Sequence, residues 1–435
     1  MTESTRTDPI NTLIADLRPH PWRQALYEEL HSRPSPVIDG SCLILQFALL
    51  VSSEREVTGY LSSLCAQFGV APPDHSSCFY QDFGPFELRW ERHSEFFNFT
   101  FIFPTKNPFT LDVSTVLPST WLTTIPGELV AATQLALVTA EPSSAQWRQW
   151  FEDHRISGSG VAEQAARVWT TFKLHRNSFG RMLVHNRSLT PYQSGRLVQR
   201  LLELETYRLM SLLALPMARQ LSQDLRNVED HLAALSQKIS AMQIEWDERD
   251  LLHQVSELAA DIEHRRSASN YRFSAAVAYH DLVNDRLTQL KEAPLEGMQS
   301  LNEFLQRRLT PGMKTVHATR ARLENISNRI AQTTHLLQAR VDLSVQEQNQ
   351  SLLVSMNRRS QLQLRLQQTV EGLSVAAISY YLVGLLGYVF EGIHSMGAEF
   401  NSTMLKGLSA PIVVILVYWS IHSIKARIKQ QVEKK

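Results

Sequence analysis

Cysteine is scarce in this chain: three in 435 residues, Cys42, Cys65 and Cys78. An odd number with no CxxC spacing points to reduced, partly buried thiols in a cytoplasmic protein, not to a zinc or redox site. Net charge is missing as well. Forty-three Lys and Arg stand against 43 Asp and Glu, so there is no basic excess to argue for nucleic acid. The N-terminal stretch MTESTRTDPINTLIADL has no basic segment followed by an apolar one, so no signal peptide is expected there. Gly158-Ser159-Gly160 reads as a turn too short and isolated for a phosphate loop. With no motif tied to a reaction, the chain is expected to be neither an enzyme nor a cofactor protein.

Two long uncharged runs are present instead. Leu373 to Phe390 carries no charge, and 18 residues at helical rise cover about 27 Å, close to the hydrocarbon core of a bilayer. Gly407 to Ile424 repeats the pattern after a short loop, so the two are expected to form a membrane hairpin. Arg358, Arg359 and Arg365 precede the first span; Lys425, Arg427, Lys429, Lys434 and Lys435 follow the second. The loop between holds Lys406 beside Glu391 and Glu399. This asymmetry places both flanks, and with them both termini, in the cytoplasm and the loop outside. Tyr388, Tyr418 and Trp419 suit the interfacial belts.

The segment before the hairpin divides near Thr190. In the first part, Pro21 to His31 reads as a short helix among prolines, with His31 and Arg33 complementing its dipole or serving a site. Ser41 to Ser52 reads as a central strand and Glu54 to Phe68 as an amphipathic helix stopped by Gly69. Phe86 to Phe103 alternates as two antiparallel strands turning near Ser94. On that pattern Arg89, Glu91 and His93 share one strand face, either an acid-base row or, as favoured here, a solvated face whose charges pair across strands. Gly127 to Thr139 suits strand or helix, Ser143 to His154 helix, and Val161 to Leu174 and Phe179 to Arg187 strands.

From Thr190, an N-cap followed by Pro191, glycine almost vanishes and long helices are expected. Leu221, Leu225, Val228, Leu232, Leu235, Ile239 and Met242 step by fours and threes, a heptad seam of a coiled coil. It resumes at Leu251, Val255, Leu258 and Ile262, which reads as a skip in one continuous rod. Pro294 and Pro311-Gly312 are expected to bracket a short helix, Leu295 to Leu309. A last helix from Met313 carries Val316, Leu323, Ile326, Ile330 and Leu337, then turns Gln- and Asn-rich and needs partner helices.

At HPWRQALYEELHSRP, LRWERHSEF, NEFLQRRLTPGM and NQSLLVSMNRRSQLQLRLQQTVEGLSVAAISYYLVGLLGY the chain resembles an uncharacterised bacterial family of predicted membrane-anchored proteins, from His20 to Tyr388. That resemblance implies no activity. In the order of its parts alone the chain is also similar to CorA-type divalent-cation channels. Their Gly-Met-Asn motif is missing; the corresponding region reads GYVFEGIHSMGAEFN.

The expected architecture is α+β: an N-terminal cytoplasmic α/β domain (1–189), a long helical, coiled-coil region (190–371), a transmembrane hairpin (372–424) and a basic tail (425–435). The expected function is an oligomeric scaffold or sensor in the bacterial inner membrane, with the lipid bilayer and further copies of itself as partners. The alternative is a CorA-like channel. In that case Ser374, Ala377, Tyr381 and Gly384 form the pore face, and otherwise a packing face. Glu391 and Glu399 then attract cations to the outer mouth. The candidate cytoplasmic site is Arg89, Glu91 and His93.

Overall fold

The computed structural model describes residues 17–24, 26–27, 34–50, 54–73, 77–240, 248–395 and 401–432. The fold is α+β, and the chain divides into two compact units, 1–334 and 335–435.

The first unit is built on one mixed sheet of nine strands. In chain order these are β1 (Cys42–Leu50), β2 (Cys78–Asp82), β3 (Glu87–Arg92), β4 (Phe96–Pro104), β5 (Glu128–Val138), β6 (Ser157–Val161), β7 (Ala166–Leu174), β8 (Gly180–Asn186) and β9 (Ala293–Pro294). Their spatial order is β2-β3-β4-β1-β5-β8-β7-β6-β9. Only the β5–β8 pair among these ladders is parallel. Helices α1 (Glu54–Phe68), α2 (Ser119–Thr123) and α3 (Ser144–Phe151) lie between strands.

The alternation in Phe96–Pro104 sorts the two faces of the sheet. Phe97, Phe99, Phe101 and Phe103 join Leu43, Leu45, Phe47, Leu88 and Trp90 in a buried aromatic core that also takes Val57, Leu61 and Leu64 of α1. The opposite face, with Gln46, Asn98 and Thr100, is also buried, because helices close over it. Of the helices that follow, α4 (Pro191–Leu212), α5 (Ala214–Ser240), α6 (Glu248–Gln289) and α7 (Leu301–Ser395), α4 reaches Gln46 through Thr206 and α6 reaches Phe96 through Tyr279. Thr190 caps α4 with a full capping box and Pro191 at its first position. Gly195 is needed where α4 meets the chain near Pro36: a Cβ there would lie 1.7 Å from the Pro36 carbonyl oxygen.

The seam residues Leu221, Leu225, Val228, Leu232, Leu235 and Ile239 are all buried, as are Leu251, Val255, Leu258 and Ile262. They do not belong to one rod. Asp224 pairs with Arg265 at 2.8 Å and Glu203 with Arg286, so α6 runs back antiparallel along α5 and α4. The shift in seam phase therefore separates two antiparallel helices and is not a skip in one rod. Met242 lies outside the described residues. The third helix is α7, with Arg322 donating to Glu229 at 2.8 Å and to the Ser222 carbonyl at 3.0 Å. Its Val316, Leu323, Ile326, Ile330 and Leu337 are buried as the pattern implied.

Further expectations are corrected. Pro311-Gly312 does not end a helix, since α7 runs unbroken from Leu301 to Ser395. Pro311 removes one ladder bond, but Leu309, Met313 and Val316 are buried on either side, and their packing holds the backbone helical. Gly312 leaves room there: a Cβ would already sit 3.3 Å from Leu215 Cδ2. Consequently neither the Leu295 to Leu309 helix nor the start at Met313 stands. Pro294 instead ends β9, an edge strand where a missing N–H is tolerated.

The Gly158-Ser159-Gly160 stretch is not a turn but the middle of β6. A Cβ on Gly158 would come within 2.3 Å of Trp169, and the buried Ser159 hydroxyl accepts from the Leu301 N–H at 3.1 Å. Glu292 accepts from the same N–H at 2.6 Å, so the two side chains cap α7. Val161 correspondingly closes β6 and does not open the next strand, which begins at Ala166.

In the second unit, α7 continues to Ser395 and is followed by α8 (Ser402–Val432). Both helices are long and apolar enough to cross a membrane, with mean hydropathy 1.8 over their most apolar windows.

Candidate functional site

The register of the sheet builds a polar row. Tyr80 stands opposite Arg89, Arg89 opposite Thr100, Thr100 opposite Gln46, and Gln46 opposite Thr133. Gln46 Nε2 donates to Thr100 Oγ1 at 3.3 Å, and Thr206 of α4 donates to Gln46 Oε1 at 3.0 Å. Two residues along β3, Glu91 faces Asn98.

Arg89 and Glu91 are only 3% and 5% exposed, and Arg89 Nη2 donates to Glu91 Oε1 at 2.9 Å. This corrects the expectation of a solvated face with cross-strand pairs. The face is covered, and the pair forms along one strand between residues i and i+2. His93 is not on that strand. It lies just past the end of β3, half-buried, its ring stacked on Phe96 with centroids 4.2 Å apart. Its Nε2 meets Asn98 Nδ2 at 3.4 Å, so the three predicted residues are gathered at one end of the row with Asn98 between them.

At that end Arg92, His93, Ser94, Tyr207 and Tyr279 line a cleft of about 450 Å³. Beside it Glu95 is held by Arg272 of α6 at 2.8 Å. Burial, with Glu95 adding to it, pushes the Tyr279 hydroxyl well above its ordinary value, so it stays a donor. Past the buried Arg89–Glu91 pair of β3, the chain thus sets a cleft lined by one Arg, one His and two Tyr. That arrangement suits binding a polar group by hydrogen bonds and stacking.

His31 and Arg33 lie outside the described residues, as does Glu399. Glu391 is exposed in the last turn of α7. Of the stripe in the first span, Ser374 and Gly384 are half-buried, while Ala377 is exposed and Tyr381 is 73% exposed. The contact with α8 instead involves Gly387, where a Cβ would lie 2.4 Å from Lys406 Cε, and Ser379, two turns earlier, is buried. Sequence reasoning also passed over Glu152, His154 and His175. Their only signal was an acidic residue two before a histidine, with the second histidine on a different strand connection.

The chain belongs to the family described as "Protein of unknown function (DUF3422)", whose model matches residues 18–428. No curated protein and no solved structure matches it. The similarity to CorA-type channels therefore rests on the order of parts alone.

Proposed function

We propose that this is a membrane-anchored, oligomeric protein, a scaffold or sensor whose N-terminal sheet unit binds a partner or ligand in the cytoplasm. One observation carries the reading: only 11% of each apolar window is buried within the chain. Leu373, Tyr380, Leu385, Ile415 and Trp419 are each 65–78% exposed. A contiguous apolar surface of this extent is costly in water and is satisfied by lipid.

Self-association is supported by the part of α7 between the bundle and the span. There Leu352, Met356, Leu366, Val370 and Leu373 are exposed and fall on one heptad stripe, with Arg359 and Gln363 at the two remaining positions. A helix so exposed gains its stability from parallel copies. The basic flanks support a topology with both termini on the cytoplasmic side of a bacterial inner membrane. A reporter fused after Lys435 is expected to be active only in the cytoplasm and one inserted near Ser395 only outside. The reverse pattern removes the cytoplasmic assignment of the sheet unit.

The unbroken helix from Leu301 to Ser395 favours one second reading, a CorA-like cation channel, since that architecture has a single long helix entering the membrane. Purified protein in Mg²⁺- or Zn²⁺-loaded liposomes separates the two. Replacing Glu391→Gln and Glu399→Gln together is expected to leave insertion and leak unchanged for an anchor. Flux that falls with the loss of these charges establishes the channel instead.

A further inference from the structure

We propose that Glu152, His154 and His175 form a binding site for one divalent transition-metal ion of the zinc class. This is independent of the membrane reading. Helix α3 ends at Phe151, and Glu152 takes the left-handed C-cap position at φ 50°. The chain then turns, with the His154 N–H donating to the Phe151 carbonyl at 2.9 Å. His175 comes from the tight connection between β7 and β8, where its N–H donates to Phe179 and its carbonyl accepts from Ser178. Two unrelated loops thereby bring one carboxylate and two imidazoles together, with a ligand atom of each within 4.8 Å of the others.

The distances suit an ion better than a direct contact. His175 Nδ1 lies 3.5 Å from Glu152 Oε2, too far for a good hydrogen bond. Two ligands on a tetrahedral zinc, each about 2.0–2.1 Å from it, stand roughly 3.4 Å apart. His154 completes the set with a ring nitrogen within 4.8 Å of the other two ligand atoms, and closes the third edge by moving inward. The second, separate observation is the state of His175 itself. Its side chain is fully buried, yet Nδ1 has no hydrogen-bond partner. Burying such an atom without a partner is costly, and the atom faces Glu152.

The surroundings orient the ligands as outer-shell groups do at metal sites. His175 Nε2 meets Thr171 Oγ1 at 3.0 Å. With the proton on Nε2, where the threonine oxygen accepts it, the lone pair is on Nδ1. Arg181 Nη2 holds Glu152 Oε1 at 3.2 Å, and Arg181 Nη1 donates to the Trp150 carbonyl at 2.7 Å. Oε2 is thereby turned toward His175, where it also accepts from the Arg176 N–H at 3.3 Å. Two imidazoles with one carboxylate suit zinc, cobalt or nickel, not magnesium or calcium, which prefer all-oxygen shells. Three protein ligands leave a fourth position for water or an incoming group. The Arg181 charge opposes the ion, so the site is expected to hold it reversibly.

The test uses full-length, detergent-solubilised protein stripped with a chelator and titrated with Zn²⁺, and in parallel with Co²⁺ as a spectroscopic probe. One ion per chain and the visible absorption of four-coordinate Co²⁺ are expected. His154→Ala and Glu152→Gln, both at half-buried positions, are each expected to weaken binding by roughly tenfold or more and to remove the Co²⁺ band. Unchanged melting shows that the variants are folded. Stoichiometric binding that survives both substitutions, or none at all in the parent protein, overturns the proposal.

Discussion

Aspartate at Leu225, Leu232 and Ile239 together is expected to abolish the cooperative melting of the first unit. The three are 0%, 0% and 8% exposed and share the seam of α5 against α6 and α7. Each replacement removes buried side-chain packing worth about 2–5 kcal/mol. It also sets a carboxylate among apolar neighbours, at a further cost of several kcal/mol unless it takes up a proton. Three such changes exceed the roughly 5–15 kcal/mol that holds a typical domain folded. Circular dichroism of detergent-solubilised protein checks this. The helical signal from 335–435 is expected to remain while the transition of the first unit is lost. Gln223→Asp, Ala234→Asp and Gln237→Asp, on the exposed side of the same helix, serve as the control and should melt close to the parent. A triple variant that melts like this control would show the seam to be solvent-facing.

That seam was legible because a heptad pattern depends only on neighbours three and four residues away. So were β1, α1, β3 and β4, whose alternation and stops are local. What the sequence obscured was decided by distant partners. A seam that changes phase looks the same whether the rod skips or the chain turns back; Asp224 beside Arg265 decides for the turn. Pro311 ends a helix by every local rule, but contacts either side of it override the missing bond. Ser159 reads as a turn residue until Glu292 and the N-terminus of α7 come to meet it.

The candidate sites divide in the same way. Arg89 and Glu91 were visible as charges on alternating positions, while their burial depended on which helices cover the sheet. His154 and His175 sit 21 residues apart with a strand pair between them, so no spacing rule joins them. The family match adds no residue roles, which leaves the geometry to carry each assignment.

The buried pair supplies the second large effect. Glu91→Ala is expected to cost about 3–5 kcal/mol, because it leaves the Arg89 guanidinium buried without its carboxylate. The cost is in the orphaned charge, so removing both partners should relieve it. Arg89→Met with Glu91→Leu is expected to return the midpoint of denaturant unfolding to near the parent value, since packed apolar side chains replace an ion pair at little net cost. Arg89 Nε already lacks a hydrogen-bond partner, which weakens the case that the pair is retained for stability alone. A double variant that folds normally but no longer binds its partner would place the pair beneath a binding cleft. If Glu91→Ala instead costs less than about 1 kcal/mol, water reaches Arg89 through the cleft beside His93, and the closed polar row described above is wrong.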